Sequence, residues 1–362
     1  MRVLASTPRA DGFHMPGEFE PHDGCWMLFP FRGDVWRQKA VPAQQAFVEI
    51  VKAVARFEPV TVGATREQYE QAARLLPDNI RLVELSYDDI WMRDCGPTFV
   101  VNGRGDVRGV NWQFNAWGGL YAPYDQDNLV APKVLALERA PRYDAPCIME
   151  GGAIHVDGEG TLITTRECLL NAKRNADLSQ AQVEALLMDY LNVGKIIWLD
   201  DGVYLDETGG HVDNLCCFVR PGVVALTWTD DENDPQHAIS QRAYAILQNE
   251  RDARGRKLEI HKIHQPGPLY FGAEELEETE DSGQINIDFA AGDRLPVSYI
   301  NFYIANGGVI VPTYDDAHDA AALAQIAALF PERQVVGVYA REIALGGGSI
   351  HCITQQQPRA GA

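Results

Sequence analysis

Glu150-Gly151-Gly152-Ala153-Ile154-His155-Val156-Asp157-Gly158-Glu159-Gly160-Thr161-Leu162-Ile163-Thr164-Thr165 holds a carboxylate beside two glycines, a β-prone run, an Asp-Gly turn and a second β-prone run. Asp-Gly and Asn-Gly supply the positive φ that tight hairpin turns need, so the stretch predicts a polar head followed by a β-hairpin. The arrangement recurs. Thr98 to Val110 turns at Asn102-Gly103, Asn214 to Thr229 at Pro221-Gly222, and Tyr299 to Thr313 at Asn306-Gly307. A less complete version, Cys25 to Phe31, lies near the start, and a β-prone run containing Cys352 lies near the end. Helical patterns fall between: Gln44 to Phe57, Arg66 to Leu75, Ser179 to Tyr190 with an N-cap serine and Gln182 three residues on, Asp234 to Asn249, and His318 to Phe330. Hairpins alternating with helices predict irregular repeated β/α modules. Arranged radially, the last strand closes the ring against the first and leaves few exposed sheet edges. A two-layer α/β protein with coincidentally similar hairpins is the alternative. No linker divides the chain, so one closed domain is expected over 1–362, with 1–14 and 359–362 as flexible ends.

The 362 residues are 46% hydrophobic, enough for a large core. No apolar run approaches the length of a membrane span, and the N-terminal stretch has no apolar signal region. Seven unevenly spaced cysteines fit reduced thiols, so a cytoplasmic location is expected. A formal charge of −20 argues against nucleic acid and favours a cationic partner. The adjacent Cys216 and Cys217 are expected on opposite strand faces. Glu274 to Asp281 reads as a solvated acidic face or a lid.

The hairpin heads carry the chemistry. Gly346-Gly347-Gly348-Ser349-Ile350-His351-Cys352 places a thiol just beyond three glycines, where converging backbone N–H groups would favour the thiolate. A small buried hydrophobe in a terminal strand is the other reading of Cys352. His211 and Asp213 stand at i and i+2, so an extended segment would send both into one pocket. Asp94 and Glu150 head two further hairpins. A thiol, a histidine and several carboxylates suit attack on the electrophilic carbon of a cation, and a guanidinium fits best because its fork pairs with carboxylates. A turn or capping aspartate, an ion-paired glutamate and a structural histidine remain open for Asp94, Glu150 and His211. No metal site is expected: HExxH and CxxC are absent, and His261, His264, His14 and His22 lack suitable partners.

The blocks MPGEFEPHDGCWMLFP (15–30), WMRDCGPTFVVN (91–102), FNAWGG (114–119), EGGAIHVDGEGTLITT (150–165), DETGGHVDNLCCFVRPGVV (206–224), YINFYIANGGVIVP (299–312) and GGGSIHCITQQQP (346–358) occur in one order. On them the chain resembles the agmatine deiminase family, in the bacterial peptidylarginine deiminase-like branch of the guanidino-group-modifying superfamily. The resemblance implies a fivefold pseudosymmetric, pentein-like α/β propeller with its site in the central channel. It implies Cys352 as nucleophile, His211 as general acid/base, Glu150 near the imidazole, and Asp94 and Asp213 holding the guanidinium, with Trp91 in the substrate pocket and no cofactor. Glu207 is the candidate for the distal ammonium, and a solvated strand-end acid is its other reading. The expected reaction converts agmatine to N-carbamoylputrescine and ammonia, a step towards putrescine. A free- or peptidyl-arginine deiminase, an amidinotransferase and a non-catalytic binding propeller are the rivals. A homo-oligomer is left open.

Overall fold

A computed structural model describes residues 2–286 and 289–361. Its architecture is five small sheets, each built as an antiparallel hairpin followed by a helix and a third strand returning parallel to the second. The second sheet pairs Thr98–Val101 with Val107–Gln113 and then Arg142–Ile148; the third pairs Ile154–Val156, Thr161–Thr165 and Lys195–Leu199. The fourth joins Cys216–Arg220, Val223–Trp228 and Glu259–His264, and the fifth Tyr303–Ile304, Gly308–Thr313 and Gln334–Tyr339. The first is shared by the two ends of the chain. Gln355–Pro358 pairs antiparallel with His22–Leu28, which continues parallel to Val60–Ala64 and Arg81–Glu84.

Side chains near the turns explain why the hairpins form where they do. Asn102 Oδ1 accepts from the N–H groups of Arg104 and Asp106, and Asp157 Oδ1 from those of Glu159 and Thr161, so each short polar side chain closes its own loop. The connecting helices are Val41–Val54, Val130–Leu137, Gln180–Leu191, Pro235–Asn249 and Asp319–Leu329. Ser179 and Gln182 form the capping box, and Asp234 caps the N–H of Gln236 with Pro235 at the first helical position. Tyr69–Leu75 is an extra helix inside the first module. Val130–Leu137 escapes the sequence reading because it is short and apolar on most sides.

Several expectations need correction. The run around Cys352 is not a strand: residues 350–353 are turns, and the strand begins at Gln355. His211 caps and Asp213 lies within a 3₁₀ turn, Val212–Asn214, rather than both sitting in extended chain. The N-terminal stretch is tied down, with Val3–Leu4 parallel to Arg142 and Tyr143 and His14 bridged to Val101. Arg359 N–H donates to the Pro21 carbonyl at 2.8 Å. Cys216 and Cys217 do face opposite ways, each packing into a different apolar cluster. Among the described residues no helix is long and apolar enough to cross a membrane.

Candidate active site

All five heads meet at the middle of the ring, and their mutual hydrogen bonds hold them there. Arg93 N–H donates to the Cys352 carbonyl at 3.0 Å, Gly152 N–H to Asp94 Oδ1 at 2.9 Å, and His351 N–H to Asn301 Oδ1 at 3.0 Å. The side-chain contacts converge as well. Cys352 Sγ lies 3.3 Å from Asn301 Nδ2 and 3.7 Å from Asp213 Oδ2. His211 Nδ1 is 3.8 Å from Asp94 Oδ2, and its Nε2 is 3.7 Å from Glu150 Oε2. Gly152 marks the centre: a Cβ there would stand 2.6 Å from His211 Nδ1, 2.9 Å from Asp94 Oδ1 and 3.0 Å from Asp213 Oδ2. His211 and Asp213 both approach the space beside Gly152, and the turn rather than strand alternation brings them there.

Above this cluster a cavity of about 300 Å³ is lined by Trp91, Trp117, Asp89, Glu207, Gly347 and the acidic segment around Glu280. The cavity ends against the two tryptophans. Trp117 Nε1 donates to Asp94 Oδ2 at 3.0 Å, and Trp91 packs over Gly348, where a Cβ would meet both its ring and the Cβ of Cys352. Glu207 carries its carboxylate against Gly347, whose φ of +98° favours glycine there. Part of the acidic stretch, read as a solvated face or a lid, lines this cavity at Glu275, Glu280 and Asp281. Glu275 pairs with Arg341 and Glu278 with Arg37.

Residues 14–358 match the Porphyromonas-type peptidyl-arginine deiminase family. An agmatine deiminase of Pseudomonas putida is 56% identical, covering 99% of this chain and 99% of its own length, and one of Pseudomonas aeruginosa is 56% identical over 98% and 97%. A solved agmatine deiminase of Enterococcus faecalis superposes with a TM-score of 0.96 at 45% identity, covering 99% of each chain. The chain belongs to the agmatine deiminase family. Its fivefold α/β architecture is the pentein fold that this family carries.

Within this member of the family the electrostatics are set by buried carboxylates. Burial, with Asp213 and Glu150 nearby, pushes Asp94 up to about 6. Burial opposes a charged His211, yet the Asp94 and Glu150 carboxylates hold its pKa well above the ordinary imidazole value. Asp213 is also buried, but the His351 hydrogen bond at 2.8 Å keeps it below the usual carboxylate range. Burial and then Asp213 and Asp94 drive the Cys352 thiol far upward, against a weaker pull from the Ser349 backbone. The expectation that backbone N–H groups alone would favour the thiolate is thus overturned: two acids face that sulfur. Burial raises Glu207 to about 8, with Asp206 adding to the shift.

Sequence reasoning missed the supporting residues. Asn301 and Trp117 carry no signal beyond their positions in conspicuous blocks, and the shell beneath the thiol is assembled from distant segments. There Glu18 accepts from Arg93 Nη1 at 3.1 Å and sits 2.9 Å from His351 Nε2, with His155 Nε2 at 3.5 Å. Glu18, His155 and His351 are close enough to ligate an ion, as are Glu150, Cys168 and His211. The first group is satisfied as a hydrogen-bond network. Phe218 N–H donates to His155 Nδ1, which places that ring's proton on Nε2 facing Glu18, and the Arg93 guanidinium already neutralises the carboxylate.

Proposed function

We propose that this protein hydrolyses the guanidinium of agmatine to N-carbamoylputrescine and ammonia, with Cys352 as nucleophile and His211 as general acid/base. One observation supports this above the rest. Among the described residues, Asp213 Oδ1 and both oxygens of Glu207 are buried acceptors without a hydrogen-bond donor. Buried acceptors favour donors strongly, and agmatine brings donors at both ends, a guanidinium and an ammonium. The guanidinium fits between Asp94 and Asp213 beside Cys352, the methylene chain along Trp91, and the ammonium against Glu207.

The same charges explain how a thiol of raised pKa can act. Asp94 and Asp213 hold Cys352 protonated, and a guanidinium between them cancels their field, so the thiol loses its proton to solvent once the substrate is bound. The thiolate then adds to the guanidinium carbon, forming the S–C bond. His211, charged beside Asp94 and Glu150, gives its proton to a terminal nitrogen, and the C–N bond breaks to release ammonia. A Cys352 thiouronium remains. Neutral His211 next takes a proton from water, whose hydroxide adds to the same carbon; the S–C bond breaks, the hydroxyl proton passes to the Cys352 sulfur, and the neutral ureido product leaves. No cofactor enters this sequence of steps.

An added carboxylate would meet Glu207 and Asp89, and among the described residues the cations that line this cavity or lie beside it are already paired. Arg93 points beneath the nucleophile to Glu18 and Gln356, and Arg37, which lines the cavity, is committed to Glu278 and Glu342. These pairings favour agmatine over free or peptidyl arginine. Ammonia release from agmatine, arginine and an arginyl peptide tests the assignment: arginine within about tenfold of agmatine in kcat/KM would overturn the substrate while leaving the chemistry. Products carrying the amidine on an added amine, without free ammonia, would favour the amidinotransferase.

A further inference from the structure

Arg174 stands in the short helix Ala172–Asn175 with its side chain 1% exposed, and no step above uses it. Its Nε donates to Glu150 Oε1 at 3.0 Å, and its Nη2 donates to the carbonyl oxygen of Thr208. Nη1 lies 3.1 Å from where a Cβ on Gly209 would stand, so the guanidinium occupies the space under that residue, whose φ is +83°. The two groups it holds serve opposite ends of the substrate. Glu150 reaches His211 through its other oxygen, and Thr208 directly follows Glu207. The loop has two further anchors. Asp206 accepts from the Thr208 N–H and hydroxyl through Oδ1 and from the His211 N–H through Oδ2, and Thr165 Oγ1 donates to the Gly210 carbonyl. The Thr208 carbonyl, next to Glu207, is held by Arg174.

We infer that Arg174 is a positioning residue that couples the two ends of the substrate site, setting Glu150 against His211 with one arm and the Glu207 loop with the other. The guanidinium fork is planar and rigid, so placing one arm places the other. This rests on the agmatine reading above. Glu150 faces Arg174, His211, Cys168 and, farther off, Asp94; His211 faces Asp94, Glu150 and Cys168, with Asp206 and Asp213 nearby. Burial opposes the Glu150 charge, and Arg174 together with His211 outweighs it and keeps the carboxylate ionised. Without Arg174 that carboxylate takes up a proton at higher pH and no longer pairs with His211. The acid limb of the active range therefore moves up.

The test compares wild type, Arg174→Gln and Arg174→Lys in two readouts: the pH profile of kcat for agmatine, and the ratio of kcat/KM for agmatine to that for n-butylguanidine, which lacks the amine. Each readout is a shape or a ratio within one preparation, so a misfolded fraction does not alter it. Arg174→Gln is expected to move the acid limb up by about one pH unit or more and to lower the substrate ratio about tenfold or more. Arg174→Lys keeps a charge beside Glu150, but one ammonium cannot reach both partners. The limb then returns towards wild type while the ratio stays low. An unchanged profile and ratio with merely less active protein would reduce Arg174 to a structural ion pair and overturn the inference. Lysine restoring both readouts, or neither, would overturn the two-arm coupling. Wild type releasing no ammonia from agmatine would instead remove the functional reading beneath it.

Discussion

At Cys352 the sulfur is pressed by two carboxylates, and its reactivity should show it. Inactivation by iodoacetamide in the absence of substrate is expected to be slow at neutral pH and still climbing at pH 9, because the thiol's pKa lies well above the ordinary value of 9.0. A rate that plateaus below neutrality would mean a preformed thiolate. Asp94→Asn and Asp213→Asn should each cost about 2 to 5 kcal/mol in transition-state stabilisation, since a buried guanidinium would lose a charged partner. Gly152→Ala should lower kcat/KM about a hundredfold or more, because its Cβ would enter the space between His211, Asp94 and Asp213. Circular dichroism should show the fold retained; wild-type activity in this variant would displace the proposed centre. Glu207 supplies the pH test. Its burial-raised pKa of about 8 leaves it neutral below that pH, so the ammonium partner forms as pH rises. The KM for agmatine is expected to fall as pH rises towards 8, and the KM for n-butylguanidine is not. At this scale the sequence showed the reactive residue types at Cys352, His211, Asp94, Asp213 and Glu150. It could not show Asn301 beside the sulfur or Arg174 beneath Glu150, because those contacts depend on how separate modules face one another.

At the scale of elements the hairpins were the legible part, since turn dipeptides and capping residues act locally. Asn102-Gly103, Asp157-Gly158 and Pro221-Gly222 each sit where two strands join. The first module was legible only as two fragments, because its hairpin consists of strands from opposite ends of the chain and no local turn joins them. That closure carries a consequence for stability. Ending the chain after Thr354 removes the strand Gln355–Pro358, uncovers the edge of His22–Leu28 and takes away Gln356, a partner of Arg93. Four lost ladder positions, at about 1 kcal/mol each, set a loss of about 4 kcal/mol or more. Chemical denaturation should show it, and an unchanged midpoint would mean that the ring does not depend on this closure. The head segments were the less legible part. Their conformation is turn and 3₁₀ rather than strand, imposed by cross-bonds such as Arg93 N–H to the Cys352 carbonyl.

Across the whole molecule, five modules bring one head each to a common centre, and a chain of charge −20 surrounds it. The excess negative charge is expected to draw a dication inward, towards the buried acids proposed to hold it. Arginine adds a carboxylate to that mouth, so agmatine is expected to be preferred by about a thousandfold or more in kcat/KM. The number five was not legible in spacing alone, because intervals between modules are irregular; the family resemblance supplied it. The acidic stretch was visible as composition, but its pairing with Arg341 and Arg37 required the fold. The most direct test of the central claim is intact-mass spectrometry on enzyme quenched within one turnover of agmatine. The account expects a substrate-derived adduct on Cys352 in wild type, and neither adduct nor ammonia in Cys352→Ala. Turnover by the alanine variant within about tenfold of wild type would contradict it.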